Sequence, residues 1–235
     1  MQIVKLHATT STNDELKVRF RESETSHLMT IYSHSQTKGR GNRGSTWLSD
    51  SGKNLTFSVL VSDGIENLSP FQLNQIVSVA MVDWLTTDLN IQAKIKWPND
   101  ILSVQMKLAG ILIENIYQNG HWSHSIVGIG LNVNQEEFKD LPRAISLKNL
   151  TGKTFKLEEL LLQFLFHLDR ALKNKEHTIG KYLNYLFKYR QRMNFEIEGK
   201  ALIATVYGVT ESGELLLEKE GQITAYDLKQ VRWNY

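Results

Sequence analysis

The stretch Ala93–Val133, AKIKWPNDILSVQMKLAGILIENIYQNGHWSHSIVGIGLNV, decides the class of fold. At its centre Gln118-Asn119-Gly120 is a hairpin signal, because a tight two-residue turn needs positive φ at both central positions and Asn and Gly tolerate it. The apolar runs on either side, Met106–Tyr117 and Trp122–Leu131, read as two long strands, and a shorter one ends at Trp97. Pro98 closes that short strand, and Asn99-Asp100 reads as a turn. Upstream, residues 70–89 form a long helix that starts at Pro70 and carries Leu73, Val77, Ala80 and Trp84 on its core face. Downstream, a second long helix places Leu157, Leu161, Phe164 and Leu168 on one face, and a further helix is predicted over about 177–189.

The ends of the chain follow different grammars. Residues 2–9 read as a first strand with Ile3 and Val4 inward, and Ser11-Thr12-Asn13 then reads as the cap of a short helix. Residues 27–35 and 54–62 give two more strands. After Gln191, short strands alternate with glycine-containing turns about every ten residues, the pattern of a small barrel or sandwich of about 45 residues. The expectation is an α/β (α+β) core over 1–190 and a small all-β unit over 191–235.

Composition narrows the chemistry. The 235 residues hold no cysteine, which removes disulfides, thiolate nucleophiles and thiolate zinc sites together. With 27 basic and 25 acidic side chains, any cationic function has to be local rather than a field over the whole molecule. No charge-free run is long enough to span a bilayer, and the start lacks a hydrophobic signal region, so a cytoplasmic protein without membrane contact is expected. His121 and His124 are close in sequence, but no third ligand accompanies them.

The local cationic feature is QTKGRGNRGSTW, Gln36–Trp47. It lies between two strands and does not end in Gly-Lys-Ser/Thr at a helix start, so it is neither a P-loop nor a dinucleotide fingerprint. A flexible loop offering backbone N–H groups and Arg40 or Arg43 to an anion is the more economical reading. Three further clusters interrupt ordinary strands: Ser11-Thr12-Asn13, the KWPND run Lys96–Asp100, and Lys107 at the head of an apolar strand beside Gly130, Asn132 and Asn134. The set is rich in cations and amides and poor in general bases, with no Ser-His-Asp arrangement. It suits a reaction whose difficulty is electrostatic, such as a carboxylate attacking a nucleotide α-phosphate.

GRGNRGSTW, KWPND, KLAGILIE and GIGLNVN occur in that order, with STN near the start and a small β tail. Together they resemble the biotin protein ligase family over essentially the whole chain. The resemblance implies a mixed β-sheet catalytic domain similar to the class II aminoacyl-tRNA synthetase core, and an SH3-like barrel at the C-terminus. It implies activation of biotin by MgATP to biotinyl-5′-AMP and pyrophosphate, then transfer to a lysine of an apo biotin carboxyl carrier domain. Matched position by position, Ser11, Thr12, Asn13, Gln36, Gly39, Arg40, Lys107 and Gly110 fall in the biotin site. Gly41, Asn42, Arg43, Trp47, Lys96, Asn99 and Asn132 fall on the ATP and adenylate side. Lys107 and Arg40 carry the catalytic charge, and Asp100 belongs to the magnesium region. An apolar wall for the biotin tail is expected from Leu108 to Ile111.

Two departures bear on these expectations. Relatives with a fuller GRGRRG motif have arginine where this chain has Asn42, so looser retention of the adenylate is expected. The motifs begin by residue 11, leaving no room ahead of them for a winged helix-turn-helix, so nucleic acid is not an expected partner. The family implies either a monomer or a homodimer joined through sheet edges. A lipoate–protein ligase is the neighbouring enzyme reading, and a phosphate- or nucleic-acid-binding module without catalysis is the alternative from another class.

Overall fold

Seven strands form one mixed sheet in this computed structural model, which describes residues 2–22 and 25–234. They are β1 (Ile3–Thr9), β2 (Thr30–Gln36), β3 (Leu55–Val61), β4 (Lys94–Lys96), β5 (Asp100–Ser103), β6 (Met106–Gln118) and β7 (His121–Leu131). Their order across the sheet is β1-β2-β3-β7-β6-β5-β4, with β1 and β2 parallel and the other pairs antiparallel. The β6–β7 hairpin turns at Asn119 and Gly120 with φ of 51° and 78°, as the sequence requires.

Period-two alternation sorts the two faces. Phe57 and Val59 of β3, Val127, Ile129 and Leu131 of β7, and Ile111 of β6 belong to the main core with α2 (Pro70–Thr87) and α4 (Leu157–Lys173). Ser69 and Gln72 close a capping box at the start of α2, with Pro70 just inside. The helix is buried almost all round, so Leu73, Val77, Ala80 and Trp84 are core residues together with Ile76, Val79 and Met81. On the opposite face α1 (Thr12–Arg21) lays Leu16 against Ile31, Leu60 and Ile126 in a smaller core.

Five strands, β8 (Arg192–Ile197), β9 (Lys200–Val209), β10 (Leu215–Lys219), β11 (Gln222–Tyr226) and β12 (Val231–Asn234), build a second, antiparallel sheet in the order β11-β10-β9-β8-β12. It docks on the first part through buried contacts: Trp97 Nε1 donates to Gly213 O at 2.9 Å, and Phe195, Val206 and Leu217 join the main core. No helix among the described residues is long and apolar enough to cross a membrane.

Three sequence expectations need correction, and one element is new. Ile3 is 37% exposed, because β1 is an edge strand with little packed against its outer side. Asp100 does not complete a turn but opens β5, whose four residues are too few to produce a periodic signal. The helix expected over 177–189 is broken into α5 (Lys175–Gly180) and α6 (Tyr182–Tyr185), after which the chain pairs Leu186 with Ile95 of β4. A short helix, α3 (Leu147–Thr151), was not anticipated; its own capping box, Ser146 with Asn149, defines it.

Candidate active site

The site is a hollow left by missing side chains. On the α1 face of the sheet, Thr56 pairs with Gly130 and Gly130 with Gly110, while Ser58 pairs with Gly128. Three adjacent strands therefore present small or absent side chains at neighbouring positions, and larger residues would fill the space. A Cβ on Gly128 would run into Asn13 Oδ1, and one on Gly130 would run into the Trp47 indole. The resulting cavity of about 210 Å³ is roofed by α1 and by the loop between β2 and β3.

That loop folds as a small hairpin. Trp47 N donates to Gly39 O at 3.0 Å and Gly41 N to Ser45 O at 2.7 Å, with a single helical turn over Asn42–Gly44 at the tip. Gly39 has to be glycine because a Cβ there would meet Trp47 O and Gln36 Nε2. The side chain of Arg43 lies outside the described set.

Ser11, Thr12 and Asn13 are buried at the start of α1, and Ser11 makes no capping bond through its side chain. Ser11 is the N-cap by position, with its carbonyl accepting from Glu15 N at 3.0 Å, and all three residues also line the cavity. Thr12 N donates to Gln36 Oε1 at 2.9 Å, Ser58 Oγ lies 2.7 Å from Thr12 Oγ1 and 2.5 Å from Asn13 Oδ1, and Asn13 Nδ2 donates to Glu114 Oε2 at 2.7 Å.

Arg40 lies above this row. Its Nη2 is 2.5 Å from Asp14 Oδ1 and 3.5 Å from Glu114 Oε2. Partial burial pushes the Glu114 carboxyl up, but hydrogen bonds from Lys17 and Asn13 and the charges of Lys17 and Arg40 outweigh it and hold Glu114 below the usual range.

At the other end Lys107 Nζ is 2.6 Å from Asp100 Oδ1, and Lys96 is 3.5 Å from the other oxygen of that carboxylate. A second cavity of about 400 Å³ opens beyond them, lined by Lys96, Asn132, Arg143 and, from the second sheet, Trp233. Trp47, Asp100 and Lys107 line both cavities. The backbone of Lys107 is fixed on both sides: its N donates to Arg143 O at 2.6 Å, and its O accepts from Ile145 N at 3.0 Å. Asn132 Nδ2 reaches Lys107 O at 3.3 Å and Ile145 O at 3.1 Å, fastening the same junction.

Ser11, Thr12, Asn13, Gln36, Arg40, Lys107 and Gly110 thus share the first cavity, together with Gly41, Asn42 and Asn99. Gly39 borders the outer side of the loop instead. Asn99 donates to Ile111 O at 2.6 Å, so it staples the KWPND turn to β6. Of the expected apolar wall, Leu108 and Ala109 are fully buried and Ile111 lines the cavity. Sequence reasoning missed Ser58 and Glu114, whose only signal is a polar residue at an alternate position of an apolar strand.

The mixed sheet and its covering helices are similar to the class II aminoacyl-tRNA synthetase core, and the hollow beneath the cationic loop is a small-molecule site on that architecture. The chain belongs to the biotin/lipoate A/B protein ligase family, whose profile matches residues 6–132. It is similar to the biotin protein ligase from Aquifex aeolicus solved in complex with biotin and ATP, at a TM-score of 0.82 and 28% identity over 99% of this chain and 98% of that one. Among curated proteins it is 29% identical over 199 residues to the bifunctional ligase/repressor BirA of Bacillus subtilis, covering 80% of this chain and 61% of that protein. It is 30% identical to the biotin–protein ligase of Schizosaccharomyces pombe, covering 89% of this chain and 37% of that one. The chain thus spans about three fifths of the length of the Bacillus relatives it matches.

Proposed function

We propose that the chain activates biotin with ATP and passes it to a lysine on a biotin carboxyl carrier domain. The observation that carries this reading is the meeting of two cavities at Trp47, Asp100 and Lys107. An acid in the first cavity points its carboxylate at Lys107 from one side, and a nucleotide in the second brings its α-phosphate from the other.

A biotin carboxylate oxygen bonds to the α-phosphorus, the bond to the β-phosphate oxygen breaks, and pyrophosphate leaves. The Lys107 ammonium offsets the repulsion between the two anions and follows the charge as it moves. Arg40 adds a second cation once it leaves Asp14. The carrier lysine then attacks the acyl carbon as a free amine, AMP departs, and the nitrogen loses its proton. The residues present do not fit a protein-held ion at Asp100, which already faces two lysines, and no group of three or more metal-ligating side chains exists among the described residues.

In this reading residues 1–190 form the catalytic domain and 191–235 its appendage. The carrier docks along β6, where pairing with β5 stops at Gly110 and leaves the strand edge open. A homodimer through that edge would compete with transfer, and a dimer that transfers at undiminished rate would count against this docking. The deciding experiment is exchange of labelled pyrophosphate into ATP with biotin or lipoate as the acid. Exchange with biotin alone supports the assignment, and exchange with lipoate alone overturns it.

A further inference from the structure

We propose that Glu114 is a positioning residue that sets which atoms of the cavity wall donate and which accept hydrogen bonds, and so makes the wall complementary to a cyclic urea. The inference rests on the biotin reading above. It starts from proton counting along one buried row. Glu114 is a carboxylate held by Lys17 Nζ at 2.7 Å and faced by Arg40, and a carboxylate only accepts. Asn13 therefore has to turn its nitrogen to Glu114, which leaves Oδ1 towards Ser58.

Ser58 is fully buried and has one proton, which Asn13 Oδ1 takes at 2.5 Å. The single proton of Thr12 then has two acceptors in the protein, Ser58 Oγ at 2.7 Å and Gln36 Oε1 at 3.2 Å. Thr12 is left with lone pairs and no hydrogen for the cavity. Gln36 is oriented independently, because its Oε1 accepts from Thr12 N, so its Nε2 is the donor. The wall thus offers an acceptor at Thr12 and a donor at Gln36, and a cyclic urea carries N–H donors beside a carbonyl acceptor.

Without the carboxylate, Asn13 can flip and present its nitrogen to Ser58. The row then reverses: Ser58 gives its proton to Thr12, which keeps one lone pair fewer for a ligand N–H and shares its own hydrogen between Gln36 Oε1 at 3.2 Å and the cavity. A mismatch of this kind leaves a buried donor unpaired, which weakens binding by about tenfold or more. Glu114 lies outside the cavity lining, so it acts through Asn13 rather than by touching the ligand.

The test is calorimetric titration of biotin into the full chain and three variants. Glu114→Gln should weaken biotin about tenfold, with ATP affinity and thermal midpoint close to the parent, and Asn13→Asp, which sets a second carboxylate against Glu114, should weaken biotin at least as much and lower the midpoint. The double variant Asn13→Asp/Glu114→Gln restores a donor facing an acceptor, with an oxygen still towards Ser58. It should recover to within about threefold of the parent. Parent-like affinity in Glu114→Gln, or a double variant that loses the product of the two single losses, overturns the proposal. A ligand-free readout is the hydrogen exchange of the Asn13 side-chain amide. It should be slow in the parent and fast in Glu114→Gln, and equal rates overturn the proposal. If the parent does not bind biotin at all, the functional reading falls, and the amide exchange alone decides the role of Glu114.

Discussion

Replacing Lys107 with alanine should slow the activation step by between about 30-fold and 1,000-fold. A unit charge about 4 Å from an anionic oxygen contributes about 4 kcal/mol at an effective dielectric near 20. The Lys107 side chain is 40% exposed, so water screens part of that, and about 2–4 kcal/mol is the range to expect. At about 1.4 kcal/mol per tenfold, the stated range follows. A second effect acts in the same direction. Asp100 loses its partner at 2.6 Å, keeps only Lys96 at 3.5 Å, and turns unbalanced negative charge on the incoming phosphate. The double variant Lys107→Ala/Asp100→Asn should therefore recover part of the loss. The assay is biotin-dependent pyrophosphate–ATP exchange at saturating substrates. A loss under about threefold in Lys107→Ala would refute the electrostatic role argued from this geometry. A double variant no faster than the single would refute the part assigned to Asp100.

Gly130→Ala puts a methyl group where the Trp47 indole lies, on a central strand that cannot move away, so the indole has to leave the junction of the two cavities. The KM for ATP should rise about tenfold while the thermal midpoint moves by only a few degrees, and an unchanged KM would remove Trp47 from nucleotide binding. Asn42→Arg adds a cation at the loop tip that lines the first cavity, and release of the adenylate should slow several-fold. Equal release from the two chains would show that the asparagine does not loosen retention.

Much of the architecture was legible in the sequence because its signals are local. The Asn119-Gly120 hairpin, the helix start at Pro70 and the apolar faces of α2 and α4 follow from backbone conformation and periodicity, which neighbouring residues set among themselves. The short elements were not legible. β5 has four residues, and its place is determined by pairing with β4 and β6 rather than by its own pattern. Ile3 looked inward because apolar alternation cannot distinguish an edge strand from a central one.

The candidate site divides along the same line. The motifs named the cations and amides, since Lys107, Arg40 and the Ser-Thr-Asn triplet are unusual in their local settings. No local pattern tells that Gly130 and Gly128 stand in register with Thr56 and Ser58, because that register joins residues about seventy positions apart in the chain. Nor does any local pattern give Glu114 its role. In sequence it is one polar residue in an apolar run, and only the tertiary fold brings Asn13 and Lys17 from α1 and Arg40 from the loop between β2 and β3 to it. The sequence determined which charges and amides this protein carries and the local elements that bear them. Tertiary structure alone decided which of them meet, because hydrogen bonds and charge pairs act over a few ångströms of space, whatever the distance along the chain.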